Sequence, residues 1–264
     1  MFFDNIDYKN KLIPQTILGY GPFMAEPYFG HRSRLYQLDL YDNPNAVADV
    51  ICAAYEKGVR AINLVNDEKL LKAFDIACDM GCDMKVIATI GKSDVDYLNP
   101  NYEVAKEVDW DDDIELFSGY DTPLMLVDEF IVDGYDWKLT SKILERINDS
   151  GSLSGLTTAF PSRTTNLLQD NSVLDLFDFY MIPLNSISYM MDINAFNNSQ
   201  RQEFVDRLLK LNKKIIASRI LAAGVLKPQE SFTFFKSVDY VDAITIGVAK
   251  VSEASEDFEL LKEY

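Results

Sequence analysis

A rhythm constrains this chain more than any single motif. A short apolar run is followed by a stretch of helical periodicity, and the pair recurs eight times between residues 15 and 263. The apolar runs are QTILGYG (15–21), RAINLV (60–65), KVIATI (85–90), PLMLVDE (123–129), LSGLTT (153–158), FDFYMIPLN (177–185), KIIASR (214–219) and VDAITIG (241–247). In the first intervening stretch Val47, Val50, Ile51, Ala54 and Tyr55 fall on one helix face. Asp42 or Asn43 suits its cap, Pro44 its first turn and Gly58 its stop. The same reading predicts helices over 67–81, 137–151, 162–170, 199–212, 228–237 and 252–263. It adds one within 94–120, where the acids of DWDDDIELFSGY suit a first turn better than a calcium loop.

Strands alternating with helices imply a parallel sheet. Eight such units in 264 residues fit an α/β fold of the (β/α)8 TIM-barrel type, with residues 1–264 as a single domain. A doubly wound open sheet is the alternative, but no Gly-rich first turn supports it.

Charge narrows the partners. The formal net charge is −17, which repels phosphate backbones, so nucleic acid is not an expected partner. No apolar run approaches the roughly 20 residues of a membrane span, and MFFDNIDYKNK does not read as a signal peptide. The three cysteines, Cys52, Cys78 and Cys82, read as thiols, Cys78 and Cys82 sharing one helix. A cytoplasmic, reducing setting is the expectation. With one histidine in the chain, no metal site is expected.

In such barrels chemistry sits where the strands end. That rule selects His31, the only histidine, in a loop of about 20 residues after the first strand. With Asp128 or Glu129 after the fourth strand, it is the candidate for catalytic acid–base work. Four of the eight arginines fall at the same end, namely Arg32, Arg34, Arg163 and Arg219. Arg34, Arg163 and Arg219 are the candidate anion-binding set, for a small anionic molecule. Rim pairing with carboxylates is the alternative. Arg219 interrupts the apolar run IIASRILAAGVL and so needs a partner. Phe23, Tyr28, Phe29 and Tyr36 in the long loop suit either a ligand cover or a subunit interface in a homo-oligomer.

Taken in order, the pieces resemble the aldo-keto reductases. The resemblance rests on ILGYGPF (17–23), VICAAYEKGVRAIN (50–63), ILERINDSGSLSGLTTAF (143–160), FYMIPLN (179–185), IIASRILAAGVL (215–226) and VDAITIGVAKVSEASEDFELL (241–261). It covers residues 12–91 and 122–264 and implies a barrel carrying NADP or NAD across its C-terminal face. The family reduces carbonyls with an Asp, a Tyr, a Lys and a His. Here the Asp position reads Asn63, and the shortened loop VND holds no Tyr. The Lys position reads Ile90, with Lys92 two residues on, and the His position reads Asp128. Thr157, Thr158 and Asn185 remain as hydrogen-bonding groups for a carboxamide. Acids follow Lys250 where the family carries a basic residue for the 2′-phosphate.

The expectation is a small-molecule enzyme whose chemistry is not the usual carbonyl reduction. An NAD(P)-dependent oxidoreductase with a rearranged site and a non-catalytic binding or assembly subunit are the alternatives.

Overall fold

A computed structural model describes the chain apart from residues 94, 96–98 and 195–197. It opens with an antiparallel hairpin, β1 (Asn5–Tyr8) and β2 (Lys11–Pro14). Then come β3 (Thr16–Leu18), α1 (His31–Tyr36), α2 (Pro44–Glu56), β4 (Ala61–Leu64), α3 (Glu68–Asp79) and β5 (Lys85–Ile90). Two short helices, α4 (Tyr102–Lys106) and α5 (Trp110–Phe117), lead to β6 (Leu124–Val127), α6 (Glu129–Val132) and α7 (Trp137–Asp149). The remainder is β7 (Leu153–Thr157), α8 (Pro161–Leu168), β8 (Phe179–Pro183), α9 (Asn198–Lys210), β9 (Lys214–Ser218), α10 (Pro228–Lys236), β10 (Ala243–Ile246) and α11 (Val251–Lys262).

β3 to β10 form a closed parallel barrel in sequence order, and β10 returns to β3 with Ile244 opposite Thr16. All eight expected strands and all eight expected helices are present. The caps follow the side chains available. Asn43 accepts from Ala46 N, Asp67 from Lys69 N and Leu70 N, and Asp136 from Leu139 N.

Strand alternation divides the core in two. One set of side chains, including Leu18, Ile62, Val86, Met125, Leu156 and Tyr180, packs against the helices. The other fills the barrel, with Ile17, Ala61, Ile87, Leu124, Leu126, Leu153, Phe179, Ile216 and Ala243. Both faces are buried, which is why these strands read as unbroken apolar runs. Gly155 is required inside, since a Cβ there would lie 2.5 Å from both Leu126 Cδ2 and Phe179 O.

The hairpin is a feature that the helical rhythm does not announce. Ile6 and Ile13 join the interior cluster and close the N-terminal end of the barrel. Tyr8 sets its ring edge-on to Phe179 at 5.7 Å and donates to Asp178 at 3.0 Å, while Lys9 pairs with the same carboxylate at 2.7 Å.

Two expectations are corrected. The cysteines are not three thiols, because Cys52 on α2 and Cys82 after α3 are bonded through their sulfurs, with Cα atoms 5.4 Å apart. Cys78 alone is free, and burial with Asp83 and Asp75 nearby pushes its thiol up to about 11. The pairing removes the premise for a reducing compartment. The first long loop is also partly ordered as helix, since α1 and a π-turn at Gln37–Tyr41 precede α2. Among the described residues, no helix is long and apolar enough to cross a membrane.

Candidate active site

The alternation that fills the barrel also makes a floor. Continuing the inward register to the C-terminal end of each strand reaches Gly19, Asn63, Thr89, Asp128, Thr157, Met181, Ser218 and Thr245. All eight line one cavity of about 350 Å³ at that end. The size suits a small organic molecule. Below this layer the interior is apolar; at it, six of the eight residues carry a polar side chain.

Asn63 is fixed by donating to Ile87 O at 2.7 Å and Thr89 Oγ1 at 3.0 Å. Thr157 Oγ1 is buried and has no hydrogen-bond partner among the described residues. Asp128 is the only carboxylate of the floor and is 2% exposed. Its Oδ1 accepts from Phe130 N at 3.0 Å and caps α6. Burial raises the Asp128 carboxyl to about 7, Lys92 opposing and Glu129 reinforcing the shift.

Around the floor stand two buried ion pairs. Arg219 Nη2 donates to Glu129 Oε1 and Oε2 at 2.8 and 2.7 Å, both side chains being 8% exposed. Lys92 Nζ lies 2.9 Å from Glu26 Oε1. Backbone turns deliver both cations. Arg219 adopts a left-handed φ of 54°, which ends the alternation of β9. Gly91 at φ 80° turns the chain after β5, held by its N–H on Asp113 Oδ2 at 2.8 Å. Asp113 also accepts from Asn66 at 2.8 Å, so an acid of the DWDDD run serves this turn. Burial alone would lower the Lys92 ammonium, but Glu26, Asp128 and Glu129 outweigh it and hold it above the usual range.

Aromatic rings form the wall. Tyr28 lies under the Arg219 guanidinium, 5.0 Å from ring centre to Cζ, and its carbonyl accepts from Tyr189 at 2.8 Å. Tyr20, Phe29 and Tyr36 line the same cavity, whereas Phe23 is buried in the core. Burial raises the Tyr20 and Tyr28 hydroxyls, with Glu26 next in effect, so both stay protonated.

The structure brings together only part of the set selected by position after a strand. Asp128, Glu129, Arg219 and Thr157 line the cavity. His31 is exposed at the start of α1 and lies outside the lining. Arg34 is exposed and donates to Gln37 at 3.0 Å. Arg163 is exposed over the Phe160 ring at 5.0 Å, its backbone N–H on Asp192. The three arginines therefore do not converge, and Arg219 is held by a carboxylate. Thr158 points outward and donates to Asp133, which also accepts from Thr164 and Ala159 N. Asn185 accepts from Tyr189 N and donates to the carbonyls of Tyr189 and Arg219, holding the loop after β8. Lys250 is exposed before α11 and does not line the cavity. Ile90 faces the helices, and the inward position at the end of β5 is Thr89.

The outer part of the cavity tests the nicotinamide expectation. Its lining by α11 is acidic, from Glu253 and Asp257. Glu253 Oε2 accepts from Ala249 N at 2.8 Å, so a carboxylate already occupies the turn before the helix. Burial, with Glu253 and Glu256 nearby, raises Asp257 to about 6. Arg32 Nη1 donates to Ala223 O at 3.2 Å and lies so close over Gly224 that a Cβ there would collide with it. Glu253 and Asp257 would repel the phosphates of a nicotinamide dinucleotide, while Arg32 and Lys227 line the same cavity with the opposite charge.

Solved structures resemble this barrel from end to end. A Pseudomonas aeruginosa protein assigned to the aldo-keto reductases matches with a TM-score of 0.63 and 14% identity, over 100% of this chain and 98% of its own. An aldo/keto reductase from Brucella melitensis matches at 0.59 and 14%, over 98% and 93%. One from Klebsiella pneumoniae, solved with NADP and acetate, matches at 0.55 and 12%, over 98% and 89%. No family model and no curated protein matches the chain. The fold is that of an aldo-keto-reductase-like (β/α)8 barrel.

Proposed function

We propose that the chain is a small-molecule enzyme, that its active site is the cavity at the strand C-termini, and that it performs acid–base chemistry without a nicotinamide. Asp128 carries this reading. It is a buried carboxyl on the cavity floor, and at about 7 it gains and loses a proton near neutrality. A general acid or base works best when its pKa lies near the working pH. The neighbours divide the remaining tasks. Lys92 stays cationic and stabilises negative charge that develops beside Asp128. Tyr20 and Tyr28 stay protonated and act as hydrogen-bond donors. Asn63, Thr89, Thr157 and Ser218 orient the ligand from the floor.

The test is a pH–rate profile for whichever small molecule the protein transforms. The profile should break near pH 7, and the break should vanish in Asp128→Asn. Unchanged activity and profile in that variant would remove Asp128 from the chemistry.

A rearranged reductase is the second reading. It is favoured by the convergence of Tyr20, Lys92 and Asp128 at one mouth, and opposed by the acids of α11. Fluorescence titration with NADPH and NADH separates the two, since tight binding of either would install the reductase. A protein stabilised by no small molecule in a thermal-shift panel would instead be a binding or assembly subunit.

A further inference from the structure

The cavity is lined by four acids, Asp128, Glu129, Glu253 and Asp257, against three cations, Arg32, Arg219 and Lys227. Arg219 is engaged by both oxygens of Glu129, and Lys92 is engaged by Glu26. Asp128 forms no ion pair of this kind. Its Oδ1 accepts from Phe130 N, and its Oδ2 is the oxygen left for a ligand in the cavity. On the same floor, Thr157 Oγ1 is buried with no hydrogen-bond partner among the described residues. Buried acceptors of this kind are costly unless something donates to them.

The surroundings favour a positive donor. Glu253 and Asp257 line the outer end, and Phe29 and Tyr36 supply aromatic rings, whose faces attract cations. The net charge of −17 draws cations toward the protein and repels anions. A carboxylate, phosphate or sulfate placed at the floor would meet the Asp128 carboxylate, where Glu129 holds Arg219 Nη2 and Glu26 holds Lys92.

Building on the active-site reading above, we infer that the cavity binds an organic cation, a primary amine on an apolar or aromatic body. Its ammonium donates to Asp128 Oδ2 and Thr157 Oγ1, and its body packs on the aromatic wall. The ionised carboxylate is the partner that gives the strongest bond. The groups facing Asp128 are Lys92 from the turn after β5, Glu129 from α6, Glu26 from the first loop and Tyr20 after β3.

Three probes of one shape and different charge test this: 2-phenylethylamine, 2-phenylethanol and phenylacetate, titrated calorimetrically at pH 8 and pH 6. At pH 8 the amine should bind at least about tenfold more tightly than the alcohol, and phenylacetate most weakly. At pH 6, where Asp128 takes up its proton, amine binding should fall about tenfold while alcohol binding stays level. In Asp128→Asn the amine should lose its advantage, with alcohol binding retained as the sign of an intact cavity. If that variant fails to fold, the pH comparison in the unaltered protein decides alone. Equal binding of amine and alcohol, tighter binding of phenylacetate, or an amine preference that survives Asp128→Asn would overturn the inference and leave the cavity as the site. No binding of any probe to the folded protein would overturn the inference and the active-site reading together.

Discussion

The two ends of the barrel are built from the same inward register and come out as chemical opposites. At the N-terminal end the register carries Ile17, Ala61, Ile87 and Leu124, and the hairpin adds Ile6 and Ile13. At the C-terminal end the same rows reach Asn63, Thr89, Asp128 and Thr157. One end is held by apolar burial, which is indifferent to pH. The other is held by paired charges and one unpaired carboxyl, which are not. Stability is therefore concentrated at one end and chemical potential at the other.

Substitutions at the two ends should separate these roles. The largest effect is expected from Arg219→Leu, which strands the Glu129 carboxylate in a buried place. A loss of about 3–5 kcal/mol should appear in urea unfolding, and most of it should return in the Arg219→Leu/Glu129→Leu double variant. A double variant as unstable as the single would show that the pair itself contributes net stability. Next comes Ile13→Ala at the closed end, where a wholly buried side chain is cut back. It should cost about 2–4 kcal/mol, equally at pH 5 and pH 8, and leave probe binding untouched. A change in binding would mean that the two ends communicate.

Asp128→Asn should do the reverse and stabilise. The folded-state pKa of Asp128 lies near 7, above its unfolded value near 4, so the group favours the folded state most at low pH. That contribution is lost as pH rises through 7. The gain on replacement should be close to zero at pH 3, grow between pH 4 and 7, and level off at about 4 kcal/mol above that. Melting temperatures across this range check it, and a gain independent of pH would contradict the raised pKa. The smallest effect belongs to Thr157→Val. Its hydroxyl forms no hydrogen bond among the described residues, so the change should cost less than about 1 kcal/mol or stabilise slightly. A larger loss would reveal a bound water or ligand serving that oxygen.

Much of the fold was legible because parallel barrel strands and their helices write different periods into the chain. The hairpin was less visible, since NIDY and KLIP are four residues each and neither is an unbroken apolar run. For the site, proximity to a strand end proved too coarse a rule. It selected His31, Arg34 and Arg163, which are exposed on the helices α1 and α8. Parity along the strand would have done better, because Ile87 faces inward and Thr89 must follow it, leaving Ile90 to the helices. Parity also separates Thr157 from Thr158. What no spacing shows is how a turn redirects a side chain once the strand has ended. Lys92 depends on the left-handed Gly91, and the Arg219–Glu129 pair joins residues 90 positions apart.

Because every strand lends a single residue to the floor, the binding surface behaves like a dial with eight settings, of which the neighbours Asn63 and Thr89 are coupled by a hydrogen bond. Opposite settings belong to strands that do not touch, so exchanging one leaves the other's packing alone. Of the eight, Gly19 and Met181 carry no polar group, and Asp128 alone carries a charge. If the cavity takes cations as inferred, a change at that one setting turns it toward neutral molecules, with the hairpin, the helices and the apolar layers beneath left as they are.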